Sequence, residues 1–378
     1  MAQLKMRPLD RNLFLASFVK QYRTLIIFVA TVALVGLATH GDFFSARNLT
    51  NLTRQVCING ILSVGMTYVI LTGGIDLSVG SVAALSGVVA GIVQVNWGMS
   101  EHALPGAVAA FLAAVATGTL CGFFNGYTIV RSKVVPFIIT LGLMVITRGL
   151  ALIFAKGAAI APFSESFNYF GQGYLDKNIS TFLIVVLTVF ILYRILTQSR
   201  DWIAGGLNLI AAAVFIFAFQ GYRDAPIPAI LFGVLAFVAN FILLNTVWGR
   251  YTVATGSNPQ AAFLSGVPVE RITLIVYVFM GMLAGLSGAV LSARLNGAMP
   301  TAGDLFELDA IAAVVIGGTR LTGGVGTIGG SVLGAFLIGT LNNGMSLLNV
   351  NEFYQKVIKG VIIIAAVWID TRGRNNRK

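Results

Sequence analysis

Charge is scarce in this chain. Asp, Glu, Lys and Arg together make up 10% of its 378 residues, where a soluble domain carries roughly 25% to keep its surface wet. Water cannot solvate most of such a surface, so a soluble globular protein is excluded at the outset. Histidine and cysteine are nearly absent, at two each. His40 and His102 lie at the edges of apolar runs without HxxxH spacing, and Cys57 and Cys121 sit inside such runs. That removes a disulfide framework, a CxxC metal site, a His-based metal site and any Ser-His-Asp or Cys-His nucleophile arrangement. A Gly-Lys pair occurs nowhere, so the phosphate-cradling GxxxxGK[ST] loop is missing too. The chain is therefore not expected to be an enzyme or to hold a cofactor or metal; if ATP drives it, the hydrolysis of ATP-Mg happens on a partner subunit.

Acidic residues are the scarcer of the two signs, 14 against 25 basic ones, for a net charge of +11. A basic excess can mark nucleic-acid binding, but here the cations fall between apolar runs, where they mark the cytoplasmic side of a membrane. No nucleic acid is expected as a partner; the lipid bilayer is.

What the chain has in abundance is apolar sequence: 57% of residues are hydrophobic and the mean hydropathy is +0.86. A bilayer-spanning helix takes about 20 residues. Runs of that kind fall near 24–39, 56–72, 79–97, 104–124, 134–154, 179–197, 202–219, 226–247, 272–293, 308–317, 325–348 and 355–369. The pattern predicts an all-α polytopic membrane protein of about 12 spanning or re-entrant helices. The run at 308–317 is too short to cross alone and reads as half of a broken or re-entrant helix. The N-terminus reads as a charged tail before a first span, since no small-residue cleavage site follows that run. With the N-terminus inside and every run crossing, 16 of the Lys and Arg residues fall inside and six outside. That asymmetry predicts both termini in the cytoplasm.

The sequence also echoes itself. Gly73-Gly74-Ile75-Asp76-Leu77-Ser78-Val79-Gly80 leads out of one apolar run into another, and Gly317-Gly318-Thr319-Arg320-Leu321-Thr322-Gly323-Gly324 does the same late in the chain. Asn125-Gly126 and Asn343-Gly344 follow each of them. This divides a single transmembrane domain, 1–378, into a cytoplasmic tail 1–23, a first half-repeat 24–154, an inserted helix pair 179–219, a second half-repeat 226–369 and a cytoplasmic tail 370–378. Five spans per half would make the halves inverted repeats. Gly281, Gly285 and Gly288, and Gly326, Gly330 and Gly334, recur at the spacing that lets membrane helices approach closely.

Few residues could carry chemistry. Asp76, with Ser78 beside it, either caps the helix after the Gly73-Gly74 turn or binds a proton or cation. Arg148, inside the fifth run, either bonds helix-end carbonyls or a carboxylate, or contacts a solute on its path. Asn125, Asn342 and Asn343 can bond sugar-like hydroxyls or a neighbouring helix. Asp304, Glu307 and Asp309 form an acidic patch that reads as a solvated rim or a docking surface, without the oxygen cage calcium needs, and Asp309 also reads as a helix-cap or structural residue. In the loop from Trp248 to Ile272, Ser257 or Asn258 can cap a short helix begun by Pro259, continued through Gln260, Ala261, Ala262, Phe263 and Leu264, and stopped after Ser265 by Gly266 and Pro268. Such a helix either seats a cytoplasmic partner or lies on the membrane surface.

From about residue 43 to 370 the chain resembles the permease subunits of bacterial sugar ABC importers of the ribose/xylose type, with the D-xylose form the nearer. The resemblance rests on Phe43-Phe44-Ser45-Ala46-Arg47-Asn48-Leu49, on Gly74-Ile75-Asp76-Leu77-Ser78-Val79-Gly80-Ser81, on Gly249-Arg250-Tyr251 through Gly256-Ser257-Asn258, and on Leu264-Ser265-Gly266-Val267. Further on it rests on Glu307-Leu308-Asp309-Ala310-Ile311-Ala312-Ala313, on Val315-Ile316-Gly317-Gly318-Thr319 and on Asn343-Gly344-Met345-Ser346. The extra pair at 179–219 points to the xylose form, while Thr72-Gly73-Gly74 is nearer the ribose form. The resemblance implies a homodimer in the bacterial inner membrane, two cytoplasmic ABC ATPase subunits, a periplasmic sugar-binding protein, and an ATPase-coupling role for Asn258 to Gly266. An ion-coupled secondary transporter is the competing expectation, but it needs a carboxylate at mid-membrane, and the apolar runs have none at their centres.

Overall fold

In the computed structural model, residues 22–199 and 202–375 are described. Lys5, Arg7, Arg11, Lys20, Arg200, Arg377 and Lys378, counted above among the inside charges, lie outside these residues. Within them the chain is helical, with only two isolated β-bridges between named helices.

Every apolar run becomes a helix: α1 (Arg23–Ala38), α2 (Ala46–Leu71), α3 (Val79–Gly91, continued by a π-helical turn Ile92–Asn96), α4 (Ala103–Ser132) and α5 (Pro136–Phe154) in the first part. After a short α6 (Glu165–Gln172) come α7 (Lys177–Arg194), α8 (Trp202–Gln220) and α9 (Ile227–Asn245). Two helices, α10 (Val247–Ser257) and α11 (Pro259–Leu264), lead to α12 (Val269–Leu295), α13 (Phe306–Ile316), α14 (Ile328–Leu347) and α15 (Glu352–Asn375). Seven of these are long and apolar enough to cross a bilayer on length and composition alone, α2, α3 with its π turn, α4, α5, α7, α9 and α12.

The helices overrun their apolar runs where local signals allow. The Ser45 side chain accepts from the Asn48 N–H, so α2 starts ten residues before the apolar run at 56 and carries Arg47, Asn48 and Arg54 in its first turns. Pro136 begins α5 at a position where its missing N–H costs nothing. At 11 residues, α13 is about 16 Å long, half of a bilayer core. Neither the amphipathic α6 nor α10 was read from the sequence as a separate helix, because neither forms a sustained apolar run.

Helices α2 and α12 form the centre. Cys57, Ile61, Leu62, Met66, Tyr277 and Met280 are buried there. Small residues set the spacing around them. A Cβ on Gly118 or Gly122 of α4 would fall onto the Gly281 or Tyr277 carbonyl of α12, and one on Gly288 onto the Ala83 carbonyl of α3. Backbone meets backbone there because lipid provides no hydrophobic force to hold helices together. The other small-residue row does the same in its own place, with Gly334 against the Ala313 carbonyl and Gly330 against that of Gly317.

The outer faces of α4, α5, α7 and α9 stay apolar and uncovered, as lipid-facing surfaces do: Leu120, Val145, Phe182 and Val234 are all exposed. The pair α7 and α8 is held together in part by Asn208 Nδ2 donating to the Thr188 carbonyl at 3.2 Å. It joins the body through α8, where Thr50 Oγ1 of α2 donates to the Ala218 carbonyl at 2.9 Å.

The two Gly-rich segments that echo one another in sequence touch in space. The Gly324 N–H donates to the Leu71 carbonyl at 3.0 Å, at the mouth of the 72–78 turn. Gly73, Gly323 and Gly324 all have positive φ, at 81°, 85° and 75°. Gly256 of α10 is wedged into the same junction, where a Cβ would strike the Leu71 carbonyl.

Replacing Gly281 by leucine is expected to destabilise the protein by at least about 1–3 kcal/mol, the usual cost of overpacking. Gly142→Ala, at a position with open space around it, is expected to be neutral or slightly stabilising. Thermal unfolding of the two variants in detergent checks the contrast.

Candidate functional site

The polar features of the chain fall into three places: a surface helix, a buried turn, and a charged network between helices.

The surface helix is α11. Of the two candidate caps, Asn258 supplies the bond: its Oδ1 accepts from the Ala261 N–H at 3.0 Å, while Ser257 Oγ turns back to the Val253 carbonyl at 2.8 Å. Pro259 occupies the first position, and Gly266, at φ 84°, ends the segment in a left-handed conformation open to glycine at no cost. Ala262 is buried, so α11 is fixed to the body on one side. Its other side is bare: Phe263 and Leu264 are 70% and 84% exposed. Gln260, Pro268, Val269 and the charged Lys133, Glu270 and Arg271 border an open cleft beside them. The α10 helix that leads into α11 is capped by Thr246, which accepts from the Gly249 N–H at 3.3 Å.

The buried turn lies between α2 and α3. Asp76 is 2% exposed, and its Oδ1 accepts from the Ser78 N–H at 2.8 Å and from Ser78 Oγ at 2.6 Å. Asn125 of α4 donates to Ser78 Oγ at 3.0 Å and, at a longer 3.4 Å, to Asp76 Oδ2. Neighbouring helices satisfy the turn's own backbone. Thr140 Oγ1 of α5 accepts from the Leu77 N–H at 3.2 Å, and Tyr277 Oη of α12 donates to the Ile75 carbonyl at 3.4 Å. Thus the structure brings Asp76, Ser78 and Asn125 together, and the amide of Asn125 is engaged with the turn.

Arg148 lies apart from this cluster. Its Nη1 donates to the carbonyls of Pro300 and Ala302 at 2.7 and 2.8 Å, tying α5 to the irregular segment before α13. Asn343 pairs with Asn48 in a reciprocal amide bond, each Nδ2 donating to the other's Oδ1 at 2.9 Å, and so joins α14 to α2.

The charged network centres on Asp309. Asp304 meets the solvated-rim expectation, paired with Lys356 at 2.8 Å with both side chains well exposed. Asp309 departs from it: it is only 3% exposed and pairs with Lys359 of α15 at 2.9 Å. The departure follows from α15 laying Lys359 over the first turn of α13, a long-range contact invisible in the local pattern. Asn342 of α14 and Asn59 of α2 also donate to Asp309 Oδ2, at 3.4 and 3.3 Å. Of these partners only Asn342 stood out in the sequence. Asn59 is a lone amide inside an apolar run, and Lys359 one of two cations, with Lys356, at the start of the last one; each was visible as a polar interruption, the signal that could have flagged them.

Among known proteins, the family model for the permease component of the branched-chain amino acid transport system matches residues 48–367. The chain is 38% identical over 367 residues to the xylose transport system permease protein of Haemophilus influenzae, covering 93% of this chain and 96% of that one. The xylose transport system permease protein of Escherichia coli is 38% identical over 368 residues, covering 92% of each. The ribose import permease protein of Bacillus subtilis is 39% identical over 335 residues, covering 88% and 87%. The chain belongs to the ribose/xylose-type family of ABC permeases. No solved structure matches it. As members of that family are permease subunits, this chain is a membrane component and not a catalytic one.

For this permease the buried turn is the most exacting polar site, since each donor aimed at Asp76 loses its partner if the carboxylate goes. Asp76→Ala is expected to cost about 1–3 kcal/mol, the penalty for stranding buried donors, and Asp76→Asn, which keeps one acceptor oxygen, less than that. Unfolding midpoints of the purified variants test the order.

Proposed function

We propose that this chain is the membrane-spanning subunit of an ATP-driven importer of a monosaccharide, D-xylose or another pentose, in the bacterial inner membrane. The reading gives it a second copy of itself as partner, ABC ATPase subunits on the cytoplasmic face and a sugar-binding protein on the periplasmic face. The observation that carries it is the bare Phe263–Leu264 ledge on α11. Two large apolar side chains held out on a capped, anchored helix beside a charged cleft have no internal packing purpose. They suit insertion into a groove of a soluble partner.

In this reading Asn258, Pro259, Gln260, Ala261, Ala262, Phe263, Leu264, Ser265 and Gly266 form the ATPase-coupling loop. Lys133 and Arg271, which border the same cleft, support a cytoplasmic position for that face, in keeping with the basic bias of inner loops. Both termini then lie on the cytoplasmic side. Nucleotide-driven closure of the ATPases presses on α11 and switches the permease between outward- and inward-open forms. Selectivity rests largely with the binding protein, which delivers its sugar to a permease path that holds it weakly. The xylose and ribose permeases among the relatives support a pentose as cargo. An ion-coupled mechanism has less support: Asp309 is already neutralised by Lys359, and Asp76 is engaged by Ser78 and Asn125 within the turn between α2 and α3.

Phe263→Asp together with Leu264→Asp is expected to abolish co-purification with the ATPase and sugar-stimulated ATP hydrolysis, while the permease still folds and reaches the membrane. Retained assembly and turnover would overturn the coupling role. Uptake into proteoliposomes driven by a sodium or pH gradient alone would overturn the ATP-driven reading.

A further inference from the structure

Four helices send polar side chains to one point beneath α13. Lys359 from α15, Asn59 from α2 and Asn342 from α14 all donate to the same oxygen of Asp309, at 2.9, 3.3 and 3.4 Å. Both amide bonds are longer than the usual 2.7–3.2 Å of an N–H···O bond, so they are weak and exchangeable. The Asn59 side-chain oxygen, Oδ1, is buried and accepts no hydrogen bond. A purely structural network would be cheaper as apolar residues, because a buried ion pair returns little of its desolvation cost. Here charge, two loosely held amides and an unused acceptor are kept together in the membrane-embedded body.

A small cavity of ≈ 10 Å³ adjoins them, bordered by Asp309, Asn342 and Lys359 on one side and by Ala312, Ile338 and Leu341 on the other. That is room for about one water molecule. Its walls therefore combine hydrogen-bonding groups of both kinds with an aliphatic surface. A neutral polyhydroxy compound needs both: hydroxyls that donate to an acceptor such as the Asp309 carboxylate at the wall, or the unused Asn59 Oδ1 once the cavity enlarges, and accept from amide or ammonium N–H, and a C–H face that lies against aliphatic side chains.

We infer that Asp309, Asn59, Asn342 and Lys359 form a hydroxyl-binding station for the sugar on its way through the permease, closed in this structure by the Lys359–Asp309 pair. Opening it requires α15 to draw back from α13, which separates the pair and enlarges the cavity. Sugar hydroxyls then take over the bonds that Lys359 and the two amides make in the closed form, so the charges are never left unpartnered. The station rests on the importer reading above and adds to it a place where the permease itself touches its cargo.

The test uses the full permease reconstituted in proteoliposomes with its ATPase and sugar-binding protein, measuring molecules of labelled xylose or ribose taken up per ATP hydrolysed. Asn342→Leu and Asn59→Leu are each expected to lower that ratio about tenfold or more, the effect of roughly one lost hydrogen bond to a charged or buried partner. An unchanged ratio overturns the station, whether or not the absolute rates fall, because a merely structural role lowers uptake and hydrolysis together. Should a leucine variant fail to reach the membrane, Asn342→Ala, smaller than the native side chain and without a hydrogen-bonding group, gives the same reading. Absence of any sugar uptake by the wild-type complex would overturn the importer reading and the station with it. Wild-type uptake with normal ratios in the variants overturns the station alone.

Discussion

Inside a bilayer a peptide N–H or C=O has no water to turn to, so each one must find its partner within the protein. That constraint shapes the irregular parts of this permease. Where α2 ends and the chain turns toward α3, the carboxylate of Asp76, the hydroxyl of Thr140 and the phenol of Tyr277 take up backbone groups that no helix serves. Before the half-length α13, Arg148 reaches across from α5 to hold two free carbonyls. Helix breaks are tolerated at these places because side chains from neighbouring helices complete the hydrogen bonding.

Packing answers a second constraint. With lipid on the outside as apolar as the core, helices gain nothing by burying leucine against leucine, and association depends on close fit. The central contact of α12 with α4 accordingly runs through Gly281, Gly285, Gly118 and Gly122, where one backbone rests on another. Polar pairs across helices add direction to this packing: Asn48 with Asn343, and Thr67 with Ser331 at 2.7 Å. The bulky residues point outward to lipid or fill the layer between α2 and α12.

These two constraints explain what could be read from the sequence. Apolar length is a direct consequence of the bilayer, so each of the twelve runs marked a helix, and the brevity of 308–317 marked α13 as a half-length one. The caps of α11 were legible because Asn258, Pro259 and Gly266 act through their immediate neighbours. The helices α6 and α10 were not, since neither forms a sustained apolar run of its own. The surroundings of Asp309 were hidden for another reason. Its partners Asn59, Asn342 and Lys359 lie 250, 33 and 50 residues away along the chain, and nothing local distinguishes a carboxylate that will be buried from one that will be wet.

Gly256 lies within the α10 segment that runs into α11, and it rests on the Leu71 carbonyl beside Gly324 with no side chain in between. Soft contacts absorb strain by rotamer changes; this one has none to offer. Under the coupling role proposed for α11, a push on the surface ledge would reach the junction of the two glycine-rich segments with no side chain in its way. Only one peptide hydrogen bond, from the Gly324 N–H to the Leu71 carbonyl, accompanies that bare backbone contact, so little there besides close fit keeps the two glycine-rich turns in register.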